Sequence, residues 1–157
     1  MDTSRTVLTA EHVMQRSVFV VRPETQVLDA VEELLQRGFS GAPVVERGKV
    51  VGIFSERDAL TAIAAAIYED VPPGTVAQHM RRDFSVVGTT TDLYELASVF
   101  RESPIRRLPV VDCERHLLGI VSRGDVLKGL RQLYARRQKS NYEKLKDHMA
   151  LKHGASD

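Results

Sequence analysis

The chain carries one sequence pattern twice, and this internal duplication constrains its fold more than any other feature. Residues 41–45 (Gly-Ala-Pro-Val-Val) and 52–58 (Gly-Ile-Phe-Ser-Glu-Arg-Asp) return as residues 107–111 (Arg-Leu-Pro-Val-Val) and 119–125 (Gly-Ile-Val-Ser-Arg-Gly-Asp). Upstream, a methionine precedes each proline by 29 residues. Because a unit of roughly 60 residues is small for a self-sufficient core, we expect the two copies to pack on each other with approximate two-fold symmetry.

Each repeat is predicted to be β-α-β-β-α, so the fold class is α/β with mixed helices and strands. In the first repeat, the β-branched run Val18–Val21 predicts a short strand. Apolar residues at helical spacing then predict a helix with Thr25 as its N-cap and Gly38 at its end. A hairpin with Gly48 in its turn follows, and a second helix begins at Asp58.

The boundary between the repeats is predicted at residues 70–74, where consecutive prolines remove amide donors and interrupt any helix. We therefore expect the first repeat to span residues 8–70 and the second to span residues 71–134. Residues 135–157 form a tail that is predicted to extend the last helix.

This tail is basic, whereas the body of the chain is mildly acidic. Residues 131–157 contain 7 Lys or Arg against 3 Asp or Glu, and residues 1–130 contain 15 against 18. A basic helix can bind nucleic-acid phosphates, but Glu143 and Asp147 dilute the positive charge. We expect the tail to dock onto a dimer partner in preference to binding nucleic acid.

The overall composition is typical of a globular domain, with 43% hydrophobic and 27% charged residues. No run approaches the ~18 consecutive apolar residues of a membrane span, and the first residues lack the layout of a secretory signal. We expect a cytoplasmic protein that is not bound to a membrane. The single cysteine, Cys113, cannot form an internal disulfide.

Two Ser-x-x-Asp motifs stand where a predicted strand ends and a helix begins: Ser55 with Asp58, and Ser122 with Asp125. A serine hydroxyl there can donate to a phosphate, and the carboxylate can accept from two ribose hydroxyls, which suits a nucleotide. The alternative is a short capping box that stabilises each helix by ~1 kcal/mol and binds nothing. The motifs alone leave both interpretations open.

Taken together, the order, spacing and duplication of these motifs resemble the cystathionine-β-synthase (CBS) domain, and two in tandem resemble the CBS pair or Bateman module. The resemblance covers about residues 10–134. It implies an adenine-nucleotide sensor with two clefts between the repeats, for AMP, ADP, ATP or S-adenosylmethionine. It also implies a homodimer formed through the helices and an output to a separate, unidentified target protein.

The resemblance implies a ligand role for several positions of this chain. The two aspartates match the family's ribose-binding aspartate, and the serine three residues before each matches the hydroxyl near the phosphates. The residue just before each proline matches a position at the purine edge, where backbone groups make most of the contacts to the base. The full set is Gly41, Ala42, Ser55, Asp58, Arg106, Arg107, Leu108, Ser122 and Asp125.

The two clefts are expected to differ in charge. Arg107 matches a position that supplies a phosphate-binding arginine in some relatives, and Arg106 precedes it, whereas the first repeat has Ser40 and Gly41 at these positions. An arginine gives a phosphate charged, bidentate donors. We therefore predict that the cleft containing Asp125 is the tighter site.

No catalytic or metal-binding constellation is recognisable. Cys113 and His116 form half of a metal motif without a second pair, and no Walker loop or GxGxxG motif is present. We therefore expect a binding module that requires no cofactor, and not an enzyme. The alternatives are a ligand-free dimeric interaction scaffold and a nucleic-acid-associated module that acts through its basic tail.

Overall fold

The computed structural model describes residues 7–154, with side chains through residue 153. It confirms the mixed α and β architecture, with helices flanking one hairpin in each repeat. The elements in chain order are α1 (Ala10–Val13), α2 (Val27–Arg37), β1 (Gly41–Glu46), β2 (Lys49–Ser55), α3 (Glu56–Glu69), a 3₁₀ turn (Val76–Gln78), α4 (Leu93–Glu102), β3 (Arg107–Val111), β4 (Leu117–Ser122) and α5 (Arg123–Gly154).

The hairpins match the prediction in both repeats. β1 pairs with β2 and β3 pairs with β4, both antiparallel and in equivalent registers that place each repeat's proline opposite an isoleucine. The first turn is left-handed at Gly48, with φ of 80°. Glycine adopts this conformation without the steric cost that a Cβ brings, which is why its position in the sequence marks the turn.

The predicted strand Val18–Val21 is wrong in extent, because only Val21 forms a bridge, parallel to β1. The amide of Val21 donates to the carbonyl of Pro43 at 3.0 Å, and the amide of Val45 donates to the carbonyl of Val21 at 2.9 Å. One step upstream, the next donor on β1 would be the amide of Pro43, which has no N–H. The ladder therefore stops there, and residues 17–19 leave the sheet edge.

Helix α2 ends where predicted but begins one residue later. Gly38 terminates it with φ of 68°, in the left-handed conformation that glycine favours. Gln26 occupies the N-cap position without a side-chain capping bond, so Thr25 as the cap is wrong. The Thr25 hydroxyl instead accepts from the amide of Arg22 at 3.1 Å, and it closes the turn before the helix.

The two hydrophobic cores exchange segments between the repeats. Ala10 and Met14, from the start of the first repeat, are buried in the core of the second. Val76 and Met80, from the start of the second repeat, are buried in the core of the first. An isolated β-bridge anchors each exchanged segment beside the other repeat's hairpin. The repeats thus interlock with the expected approximate two-fold symmetry.

Helix α5 continues without a break from Arg123 to Gly154, far past the predicted end of the repeat at Tyr134. At 1.5 Å per residue, its 32 residues span roughly 48 Å. Every side chain from residue 135 to 153 is exposed. The basic tail is therefore helical but contributes no side chain to either core. No helix within residues 7–154 has the length and apolar character that crossing a membrane requires.

Candidate functional site

The first Ser-x-x-Asp motif forms a closed capping box at the start of α3. The amide and the hydroxyl of Ser55 both donate to Oδ2 of Asp58, each at 2.9 Å. The amide of Asp58 lies 3.4 Å from the hydroxyl oxygen of Ser55. These bonds satisfy donors at the helix terminus. The hydroxyl hydrogen of Ser55 is therefore already used within the cap.

The second motif makes the same cap, but the Ser122 hydroxyl does not donate to the aspartate as the Ser55 hydroxyl does. The amide of Ser122 donates to Oδ2 of Asp125 at 2.9 Å, and the amide of Asp125 donates to the Ser122 hydroxyl oxygen at 3.1 Å. The hydroxyl hydrogen of Ser122 has no acceptor among the residues that the structure describes. Oδ1 of Asp125 accepts from the side-chain amide of Gln15 at 3.3 Å, so this carboxylate also joins the two repeats.

A cavity of about 320 Å³ lies beside Asp125, between the two repeats. Its volume is at the lower end of the range typical of small-molecule sites, which is about 300–1,000 Å³. One wall comes from the first repeat and the other from the second. The lining residues are Gln15, Ser17, Val18, Phe19, Phe39, Gly41, Pro43, Arg107, Ile120, Ser122 and Asp125.

Two neighbouring aromatic rings, each with an arginine packed on it, lie at one side of this cavity. The guanidinium of Arg107 lies 4.6 Å from the centroid of the Phe39 ring. The Phe39 and Phe19 ring centroids are 6.3 Å apart, and Arg37 lies 4.5 Å from the Phe19 centroid. Cation–π contacts of this kind stabilise by roughly 0.5–1 kcal/mol at exposed sites. The Phe39 ring contacts the guanidinium of Arg107 at the cavity. The Arg107 side chain makes no salt bridge to a described residue.

The structure brings together part of the predicted site. Gly41, Arg107, Ser122 and Asp125 all line the cavity. Ser55 and Asp58 line neither this cavity nor the larger one beside it.

The remaining predicted residues lie outside this lining for two reasons. The side chains of Ala42 and Leu108 are buried, at 3% and 1% exposure, so only their backbones are available to a ligand. Arg106 is exposed, and its carbonyl accepts from the amide of Arg123 at 3.2 Å. Successive side chains in extended chain alternate between opposite faces, so Arg106 cannot share the face of Arg107.

Several lining residues were not predicted from the sequence, and most belong to the segment at residues 15–19. No described residue hydrogen-bonds the backbone of residues 17–19. One signal could have found this segment, since Pro43 lacks the N–H that would continue the adjacent ladder. The missed lining residues are Gln15, Ser17, Val18, Phe19, Phe39, Pro43 and Ile120.

One carboxylate outside the cavity has a perturbed pKa. In the turn between β3 and β4, Oδ1 of Asp112 accepts from the amides of Glu114 and His116, each at 2.9 Å. Oδ2 lies 3.0 Å from Nδ1 of His116. These bonds, with the His116 amide as the largest cause, lower the pKa of Asp112 below its ordinary value. The role of this pair is to order the turn.

Among residues 7–154, no three His, Cys, Asp or Glu side chains group closely enough to hold a metal ion. Cys113 is exposed and unpaired in the same turn.

One of the known proteins similar to this chain has a solved structure. The chloroplastic protein CBSX2 of Arabidopsis thaliana, a CBS domain-containing protein, is 30% identical over 145 residues, which cover 76% of this chain and 61% of CBSX2. A crystal structure of CBSX2 in complex with AMP matches with a TM-score of 0.72 at 31% identity. That match covers 81% of this chain and 98% of the crystallised chain.

Larger proteins contain a similar region. The γ subunit of the AMP-activated protein kinase of Kluyveromyces lactis is 32% identical over 123 residues, which cover 74% of this chain and 38% of the subunit. Inosine-5′-monophosphate dehydrogenase of Thermoplasma acidophilum is 30% identical over 118 residues, which cover 74% of this chain and 22% of the enzyme. The chain thus spans well under two thirds of these relatives, and the dehydrogenase match is confined to its CBS part.

The family comparison follows the internal duplication of the sequence. Residues 10–65 match the CBS domain, and residues 75–132 match it again. CBS pairs of this kind are generally regulatory modules and not enzymes. The chain belongs to the CBS domain family and carries two copies of the domain in tandem.

Proposed function

We propose that this chain is a non-enzymatic regulatory module that binds an adenosyl ligand in the cavity at Asp125 and signals to a separate partner protein. The observation that carries the proposal is the convergence of Arg107, Ser122 and Asp125 on one cavity between the repeats. A cation, a hydroxyl donor and a carboxylate acceptor are the groups that a phosphate and a ribose require.

Each group has a role that its contacts allow. The Asp125 carboxylate accepts hydrogen bonds from the ribose hydroxyls. These bonds replace the hydrogen bond that Asp125 accepts from the Gln15 side-chain amide in the ligand-free protein. The Ser122 hydroxyl, whose hydrogen is unused, donates to a phosphate oxygen, and Arg107 supplies a permanent positive charge. The unpaired backbone of Val18 and Phe19 provides donors and acceptors for the purine edge.

The two repeats are not equivalent in this proposal. The Ser55 hydroxyl is committed to Asp58, and Gly41 provides no charge where the second repeat has Arg107. The cleft containing Asp58 is therefore the weaker site, and the cleft containing Asp125 binds first.

Among relatives, CBSX2 has been crystallised with AMP, which supports an adenosyl ligand for this chain, and AMP, ADP, ATP and S-adenosylmethionine are the candidates. No further cofactor is required in this proposal. The predicted cytoplasmic location remains an expectation.

The signal travels through the helices, which also form the surface for a homodimer. Leu60 and Ile67 on α3, and Leu127 and Tyr134 on α5, are exposed at equivalent positions of the two repeats. Apolar residues seven apart lie on one helix face and mark a surface for a second copy. The Gln15–Asp125 hydrogen bond joins the two repeats, and ligand contacts replace it. The ligand then shifts the equilibrium between two angles of the repeats toward the angle that it binds more tightly.

A thermal-shift series tests the proposal with AMP, ADP, ATP, S-adenosylmethionine and no ligand at matched ionic strength. We expect a rise in Tm with at least one of them, since a ligand that binds only the native state stabilises it. Asp125→Ala should abolish the rise. Asp58→Ala is the matched control, because it removes the same kind of helix cap and should retain most of the rise.

The absence of a shift with all four ligands, in protein shown to be folded, would favour the scaffold alternative. An equal loss of the ligand-induced rise in Tm in both variants would show that the effect comes from removing a helix cap and not from removing the proposed ribose-binding carboxylate.

A further inference from the structure

A second cavity adjoins the first along helix α5. It has a volume of about 430 Å³ and lies between α1 and α5. Gln15 and Asp125, which hydrogen-bond to each other, line both cavities. The two cavities therefore adjoin at the Gln15–Asp125 hydrogen bond, with the proposed ribose-binding carboxylate at their border.

The lining of this second cavity, here called the α5 groove, is rich in positive and donor groups. Lys128 and Arg131 line it from one face of α5, and neither makes a salt bridge to a described residue. His12 lines the opposite wall. Its Nδ1 accepts from the amide of Thr9 at 3.0 Å, which leaves Nε2 as the donor of the neutral ring.

The groove carries more positive than negative charge. Asp125 is the one carboxylate among the lining residues. Its Oδ2 accepts from the Ser122 amide and its Oδ1 from Gln15. Apart from His12, the charged lining residues are two cations, Lys128 and Arg131, and one carboxylate, Asp125, so the groove has an excess of one positive charge and an anion there would meet two cations.

The first repeat provides an internal comparison. Aligned at Asp58 and Asp125, the positions of Lys128, Arg131 and Gln132 are occupied in α3 by Thr61, Ala64 and Ala65. The equivalent helix folds with small side chains there, so the fold does not require the basic residues. The charge of the α5 groove is a feature of the second repeat alone.

We propose that the α5 groove binds the terminal phosphates of a nucleoside polyphosphate whose adenosine occupies the Asp125 cavity. This inference rests on the proposed function and specifies its ligand as a nucleoside triphosphate in preference to a monophosphate. Arg107 and Ser122 receive the first phosphate, and the chain passes the border at Gln15 to Lys128 and Arg131. Charge-assisted bonds from these two cations distinguish a triphosphate from a monophosphate.

Calorimetric titrations with AMP, ATP and inorganic tripolyphosphate test this inference on wild type and on the double variant Lys128→Ala, Arg131→Ala. Alanine keeps the helix, since it has the highest helix propensity, and both native side chains are exposed. We expect ATP affinity to fall by roughly tenfold to a hundredfold. AMP affinity should change by less than about threefold, because its phosphate does not reach the groove.

The control is Arg136→Ala, Arg137→Ala, which removes two cations of the same helix outside the groove. It should leave the ratio of ATP to AMP affinity unchanged. An unchanged ATP affinity in the groove variant, or an equal loss for AMP and ATP, would overturn the inference while the nucleotide site at Asp125 stands.

Two further outcomes are separable. If wild type binds neither nucleotide, the inference fails, and the thermal-shift series decides separately whether the proposed function stands with another adenosyl ligand. If tripolyphosphate binds as tightly as ATP, the groove is an anion site independent of adenosine, and the joint site is wrong.

Discussion

Met14 of the first repeat packs against Gly119 of the second, so closely that a Cβ atom on Gly119 would lie 2.7 Å from the Met14 sulfur. Met80 makes the same contact with Gly52 in the opposite direction, also at 2.7 Å. Each methionine is buried, at 9% exposure. A methionine of each repeat therefore packs on the hairpin of the other repeat, and each core includes a segment of the other repeat.

Gly119→Ala should destabilise the protein, because the added Cβ would also lie 2.8 Å from the backbone carbonyl oxygen of Gln15. Overpacking of this kind costs about 1–3 kcal/mol, which urea unfolding would measure. Gly88→Ala is the matched control, since no atom lies within 4 Å of a Cβ placed there. Equal free energies of unfolding for the two variants would contradict the interlocked packing.

Phe39→Leu should weaken binding of an adenosyl ligand, because the Phe39 ring lies under Arg107 at the cavity. A cation–π contact of roughly 0.5–1 kcal/mol sets an upper limit of about twofold to fivefold on the rise in Kd, because the contact also exists in the ligand-free protein. Titration calorimetry would measure it. The control is Phe84→Leu, which removes the ring 5.5 Å from Arg115 and should leave Kd unchanged. A similar loss in both variants would indicate a general effect on packing.

Asp112→Asn should remove an acid-dependent part of the stability. The folded-state pKa of Asp112 is lowered by the His116 amide and the other bonds of the turn. A lowered pKa contributes stability that is present above the unfolded-state pKa, near 3.8, and is lost as the pH falls through the folded-state value. The variant should therefore be less stable than wild type at pH 7, with a difference that shrinks below about pH 4. Urea unfolding at several pH values would show it, and a difference independent of pH would contradict it.

Leu127→Glu should disrupt the proposed homodimer, because Leu127 is 67% exposed on the helix face that would meet a second copy. A charge there would be buried without a partner on association. Light scattering after gel filtration would show a shift from dimer to monomer. Val71→Glu, at a residue 50% exposed in the linker, should leave the mass unchanged. A wild-type monomer at all concentrations would contradict this interface.

Sequence-based prediction succeeded where the cause is local. Gly38 and Gly48 mark the end of α2 and the first turn because glycine alone adopts positive φ without strain. The Ser-x-x-Asp motifs lie at the starts of α3 and α5 because their side chains satisfy the first helix amides. The predicted start of α3 at Asp58 is two residues late, since the helix begins at Glu56. Prediction failed at Thr25 and at Val18–Val21. In the first case the Thr25 hydroxyl accepts from the Arg22 amide before the helix. In the second, the missing N–H of Pro43 on the neighbouring strand ends the ladder in spite of the β-propensity of the segment.

The duplication, the two hairpins and the difference in charge between the repeats could be predicted from the sequence, because each depends on residues close together in the chain. Only the tertiary structure decided which groups share a cavity. Gln15 meets Asp125 across 110 positions, and the exchange of segments between the cores places it there. Such a contact depends on how the two repeats pack, and no local periodicity encodes it.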